Sequence, residues 1–206
     1  MNQMSSAARA RVGAQCAPES ASRPKKGGAD HVYTTTAVAL HWVIAALIAG
    51  GFALGWTMTR IPGITPEKLR FYSWHKWIGV TVLALALIRI VWRATHRAPP
   101  LPENMSARQQ WSAHAVHVAL YLLMIAIPVS GYLYSSAANV PVVYLGVVPL
   151  PTLITPDPTL KAWLKTVHIA LDYGMFVLVL GHAAAAVKHQ WIDRDGLLRR
   201  MLPFLK

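Results

Sequence analysis

Residues 163–188 read WLKTVHIALDYGMFVLVLGHAAAAVK, an apolar run that carries histidines at 168 and 182. A helix crosses the hydrocarbon core of a bilayer in about 20 residues, so this stretch reads as a membrane span. Fourteen residues separate His168 from His182. On an α-helix that is roughly 21 Å of rise, and both side chains fall within about 40° of one face. One helical face therefore presents an imidazole toward each side of the membrane. Ionisable side chains are costly inside a bilayer, so their presence there points to function.

Three more runs have the same character: about Thr36 to Thr59, Trp74 to Trp92 and Ser112 to Ser135. Charged residues make up 14% of the chain, against about 25% in a soluble domain, and the deficit is concentrated in these runs. Trp42, Trp56, Trp74, Trp77, Trp92, Trp111, Trp163 and Trp191 lie near the ends of the runs, as an aromatic belt requires. The fold class that follows is all-α: an integral membrane four-helix bundle over residues 33–203. Residues 1–32 are polar, lack the apolar core of a signal peptide, and read as a disordered cytoplasmic N-terminal tail. The stretch from Val140 to Pro158 contains Pro141, Pro149, Pro151, Pro156 and Pro158. It cannot be a continuous helix, and reads as an apolar extramembrane loop that lies on the surface or caps a site.

The net charge of +12 comes from basic residues flanking the apolar runs, with no stripe of interleaved aromatics, so nucleic acid is not the partner. Membrane lipid is. Arg9, Arg11, Arg93, Arg108, Arg194 and Arg199 belong to the side shared by the two tails and the middle loop; Arg60, Lys68, Arg70 and Lys76 lie on the other. The basic excess on the first side places both termini in the cytoplasm.

Helix direction sorts the histidines by depth. His75 and His168 lie toward the outer face, and His41 matches His182 at the inner face. An iron takes two axial imidazoles from facing helices, so the pairs His75 with His168 and His41 with His182 suit two stacked haem sites. Cys16 is the lone cysteine. Neither a Cys-x-x-Cys-His attachment motif nor a cysteine zinc site is possible, and any haem is of the non-covalent b type. One turn after three of the ligands stand Ala45, Gly79 and Ala186, small enough to lie against a flat macrocycle. Asp172, one turn after His168, either accepts a hydrogen bond from an imidazole or water or faces a polar helix interface.

Taken in order, Leu40–His41–Trp42, His75–Lys76 with Gly79, His114–Ala–Val–His117 running to Pro128–Val–Ser–Gly131, Gly181–His182–Ala183 and Leu197–Leu–Arg–Arg–Met201 resemble the bacterial di-haem cytochrome b561 family. The resemblance covers about Tyr33 to Pro203. It implies two haem b groups on His41, His75, His168 and His182, in a bacterial cytoplasmic (inner) membrane. It further implies oxidation of superoxide at the outer haem and reduction of ubiquinone. Lys76 and Arg70, with Arg60 and Lys68, would steer the anion. Arg89 and Arg93 would pair haem propionates; His189, Trp191 and His114, with His117 nearby, would contact the quinone. Related four-helix cytochromes imply the alternative of an anchor subunit that feeds quinone from a hydrogenase or dehydrogenase, a redox donor protein docked on the Val140–Pro158 loop. A metal or haem transporter would need a substrate path that haem-saturated histidines do not leave.

Overall fold

The computed structural model describes residues 33–96, 99–100 and 105–202; the expected tail of residues 1–32 lies outside them. Four helices are long and apolar enough to cross a membrane: α1 (Thr35–Arg60), α2 (Pro66–Thr95), α3 (Ala107–Ala137) and α4 (Pro158–Lys188). Three of them start well before their apolar runs because capping signals lie outside the lipid-soluble part. Thr65 caps α2 ahead of Pro66. Ser106 and Gln109 form a reciprocal capping box on α3. Asp157 accepts from the amides of Thr159 and Leu160 ahead of Pro158. Such caps satisfy amides that have no intrahelical acceptor, and hydropathy cannot see them.

The helices pack in chain order, α1 on α2, α2 on α3 and α3 on α4, whereas α4 does not pack closely on α1 or α2. The gap on that side of the bundle positions the site. The helices meet at mid-membrane, where Ile44, Ala86, Met124 and Met175, one from each helix, form the buried cluster. Phe52 of α1 also reaches Phe176 of α4 edge-to-face, with ring centres 5.7 Å apart. Met175 lies seven residues from both His168 and His182, whereas Ile44 and Ala86 lie three residues from His41 and Arg89, so the apolar cluster extends from the middle of the bundle toward the terminal-end histidines. In lipid there is no water to expel between helices, and close packing supplies the cohesion.

The α3–α4 connection is a two-stranded antiparallel hairpin, β1 (Val143–Tyr144) with β2 (Val148–Pro149). Leu145 (φ 53°) and Gly146 (φ 74°) are both left-handed, as a type I′ turn requires. The hairpin lies against the bundle. The Trp77 indole donates to the Val143 carbonyl at 2.7 Å, Tyr144 Oη lies 2.9 Å from Thr81 Oγ1, and the Tyr132 hydroxyl donates to the Pro151 carbonyl. Pro141, Pro149 and Pro151 have no N–H to leave unpaired, and no Asp, Glu, Lys or Arg occurs between Arg108 and Asp157. This segment is suited to lie against apolar helices.

At the opposite end the chain continues from α4 through a π-helical turn (His189–Asp193) and a 3-10 turn (Leu198–Arg200). It folds back so that the Trp42 indole donates to the Met201 carbonyl at 2.8 Å and Arg200 Nη1 to the Pro100 carbonyl at 2.6 Å. The two ends of the bundle are called below the hairpin end and the terminal end.

Met175 is 2% exposed, and Met175→Ala leaves a cavity where the four helices meet. The expected cost is about 2 kcal/mol or more. Thermal unfolding of the purified protein in detergent should begin at lower temperature, with helix content unchanged at low temperature.

Candidate functional site

α4 contributes to two imidazole pairs, and both pairs bridge the gap that α4 leaves toward α1 and α2. Toward the hairpin end, His168 faces His75 of α2 with ring centres 6.2 Å apart and planes at 87°. Toward the terminal end, His182 faces His41 of α1, also at 6.2 Å and with planes at 70°. A metal ion holds an imidazole nitrogen at about 2.0–2.1 Å. Two imidazoles on opposite sides of one ion therefore have centres about 6 Å apart. Both pairs are already at that separation. His117 of α3 lies closer to His182, at 5.4 Å, too near for an ion to be held between them in the same way.

At the hairpin end the ring nitrogens are sorted by their partners. His75 Nδ1 lies 3.0 Å from the Gly51 carbonyl, and His168 Nδ1 lies 3.0 Å from both the Ile127 carbonyl and Ser130 Oγ. Ser130 itself donates to the Ile127 carbonyl at 2.8 Å. A carbonyl only accepts, which assigns the proton to Nδ1 in each ring and leaves the Nε2 lone pair for a metal. Asp172 Oδ2 is 3.5 Å from His168 Nε2. It faces the Nε2 side of the ring, which is oriented instead by Ile127 and Ser130.

A single register runs through all four helices. His41 and Gly55, His75 and Arg89, His117 and Gly131, and His168 and His182 are each fourteen residues apart. Each helix thus presents one residue to each depth. A Cβ on Gly131 would stand 2.8 Å from His168 Cε1, and one on Gly55 would stand 3.5 Å from His75 Cε1. The hairpin-end pair is therefore cradled by glycine on α1 and α3. Gly79 faces open space, where a Cβ would meet nothing within 4 Å. Gly55 and Gly131 could have been found by carrying the fourteen-residue step from α4 to the other helices.

The terminal-end layer differs. Arg89 donates from Nε to Tyr121 Oη at 3.0 Å and from Nη1 to the Ala37 carbonyl at 2.9 Å. It is a fixed charge tied to three helices, with both Nη2 donors and one Nη1 donor left for a propionate. Arg93 lies one turn on, in the last turn of α2. His114 and His117 are exposed. His189 is half-buried, with Nδ1 2.5 Å from Asp195 Oδ2 and 3.2 Å from Asp193 Oδ2. Asp195 lies beyond the π-helical turn and is brought to His189 by the reversal at the left-handed Arg194, which the sequence does not signal. Asp193 also holds Lys188 Nζ at 2.6 Å, so this cluster already contains its cation. Trp191 is 65% exposed.

Among the hairpin-end cations, Lys68 is engaged with the Ile61 and Gly63 carbonyls at 2.8 and 2.9 Å, and caps the end of α1. Arg60 lies 3.3 Å over the Trp56 ring and Arg70 5.3 Å over Trp74. Both keep their charge at the surface. Lys76 adjoins the ligand His75 and is half-buried.

Residues 32–204 match the family model described as prokaryotic cytochrome b561. Cytochrome b561 homolog 2 of Escherichia coli K12 is 34% identical over 171 residues, covering 82% of this chain and 90% of the relative. The probable superoxide oxidase CybB of Yersinia pestis is 26% identical over 175 residues, 83% of this chain and 96% of the relative. Cytochrome b562 of Cereibacter sphaeroides is 27% identical over 175 residues, 82% and 94%.

Gly131→Ala is expected to displace the His168 ring and lower the haem content of the purified protein, read from the reduced α-band, with helix content unchanged.

Proposed function

Because the chain belongs to the prokaryotic cytochrome b561 family, membrane oxidoreductases that use haem b, we propose that it holds two b-type haems and oxidises superoxide at the hairpin end while reducing ubiquinone near the terminal end. The observation that carries this reading is the pair of 6.2 Å imidazole separations, one at each depth of the gap beside α4. Haem b, when bound, supplies a one-electron carrier at each depth. The proposed ligands are His75 with His168 and His41 with His182. Placed by the positive-inside count, the hairpin end faces outward, and the terminal end faces the cytoplasm of a bacterial cell bounded by its inner membrane.

Each superoxide gives up one electron and leaves as dioxygen; a ubiquinone takes two electrons and two protons to become the quinol. Two superoxides are therefore consumed per quinone. Arg60, Arg70 and Lys76 form a basic patch at the hairpin end that a small anion meets, and fixed charges of one sign speed its arrival. Lys76 adjoins His75 in the chain and is the group nearest to the proposed reaction. The printed name of the Yersinia relative, probable superoxide oxidase, supports this choice of donor.

At the terminal end His189 presents its remaining nitrogen, and Asp195 fixes its tautomer through Nδ1. An imidazole so held hydrogen-bonds a quinone carbonyl and passes on a proton. Trp191, His114 and His117 are the neighbouring candidates for quinone contact. Arg93, with the free Nη2 of Arg89, is suited to pair a propionate.

Stopped-flow mixing with superoxide tests the reading. Haem reduction followed by reoxidation on adding ubiquinone is expected, and a chain that stays oxidised would instead favour an anchor subunit fed by a redox donor protein. His75→Ala should lose one haem together with the superoxide reaction. Lys76→Glu should retain both haems and slow the bimolecular step about tenfold at low salt, with the difference shrinking as salt is added. His189→Ala should leave reduction by superoxide unchanged and slow reoxidation by quinone.

A further inference from the structure

We infer that Arg89 biases the electron toward the terminal-end site: its fixed positive charge beside His41 and His182 raises the reduction potential of the haem held there above that of the haem held by His75 and His168. The inference rests on the di-haem reading and adds where the electron settles.

Three observations place the charge. Arg89 stands fourteen residues after His75, so on α2 it occupies the depth that His182 occupies on α4. Its anchors lie one turn from two of the terminal-end histidines, since Ala37 precedes His41 and Tyr121 follows His117 by four residues. Both anchors are neutral. Among the described residues no carboxylate pairs with Arg89; the ion pairs involve Asp172, Asp193 and Asp195 only. A guanidinium does not deprotonate in a protein, so the charge is permanent and uncompensated by the chain.

The other depth is built differently. There α1 and α3 offer Gly55 and Gly131, which carry no charge, and the acid Asp172 lies 3.5 Å from His168 Nε2; the cations of that end, Lys76 next to His75 and Arg60 and Arg70 over surface indoles, belong to the rim and not to the fourteen-residue register. Propionates are common to both haems, so the difference between the layers comes from the chain. A reduced haem carries one more negative charge than an oxidised one. A nearby cation stabilises it, and neutral or acidic surroundings do not. In a medium of effective dielectric about 20, a unit charge at about 10 Å shifts a one-electron equilibrium roughly tenfold, or 59 mV.

Redox titration of the haem-loaded full chain, followed at the α-band, tests this in single-haem variants. His75→Ala isolates the terminal-end haem, and His41→Ala isolates the hairpin-end haem. With Arg89 intact, the terminal-end haem should have the higher midpoint by tenfold or more in equilibrium constant; equal midpoints or the reverse order would overturn the inference. Arg89→Gln, which can still hydrogen-bond Tyr121, should lower the terminal-end midpoint about tenfold, leave the hairpin-end midpoint in place, and be reversed by Arg89→Lys. Equal shifts at both haems, or none, would also overturn it. If Arg89→Gln fails to load haem, the midpoint order with Arg89 intact decides. A parent chain that binds fewer than two haems would refute the di-haem reading itself.

Discussion

Two imidazoles that share one metal ion must stand about 6 Å apart, and the helices that carry them cannot also pack against each other. Much of the fold answers to that requirement. α4 carries a histidine of each pair and is held by α3, while its sides toward α1 and α2 stay open. Cohesion is moved to the middle of the membrane, where Ile44, Ala86, Met124 and Met175 meet. It is also moved to the ends, where the hairpin is tied to α2 and the C-terminal segment is tied to α1. The apolar layer keeps the two histidine depths apart.

Close approach on the packed sides is the complement of the open side. The His168 ring lies against Gly131, with its Nδ1 held by Ile127 and Ser130 of α3. The His75 ring is held by the Gly51 carbonyl of α1. Each hairpin-end imidazole is thus aimed into the gap by the backbone of the helix packed beside it. A fixed ring needs little reorganisation when it binds a metal, and the acceptor behind it raises the basicity of the ligating nitrogen.

Four spans and the two pairs could be read from the sequence because hydropathy and depth are one-dimensional properties, and a residue count measures both. The ends of α2, α3 and α4 could not be read from apolar runs, since Thr65, Ser106 and Asp157 act beyond the lipid. The partners of Asp172 and His189 depend on rotation and on local winding. Asp193 would face His189 on a continued α-helix too, four residues on, whereas Asp195 reaches it because the chain reverses at the left-handed Arg194. Lys68 looked like a free cation and is a helix cap. Gly55, Arg89 and Gly131 were in view from the start, fourteen residues from known histidines, but a glycine or arginine has no meaning at a depth until the neighbouring ring is located.

The sharing of α4 by both pairs also bears on how the protein is made. α4 is the last of the four helices to leave the ribosome, and it carries His168 and His182 together. While α1, α2 and α3 are being inserted, His41 and His75 each lack their partner. Neither pair exists until synthesis of the membrane domain is nearly finished. In the proposed di-haem protein, cofactor capture would thereby be deferred to the completed bundle, and the nascent chain spared a half-formed, singly ligated centre open to oxygen.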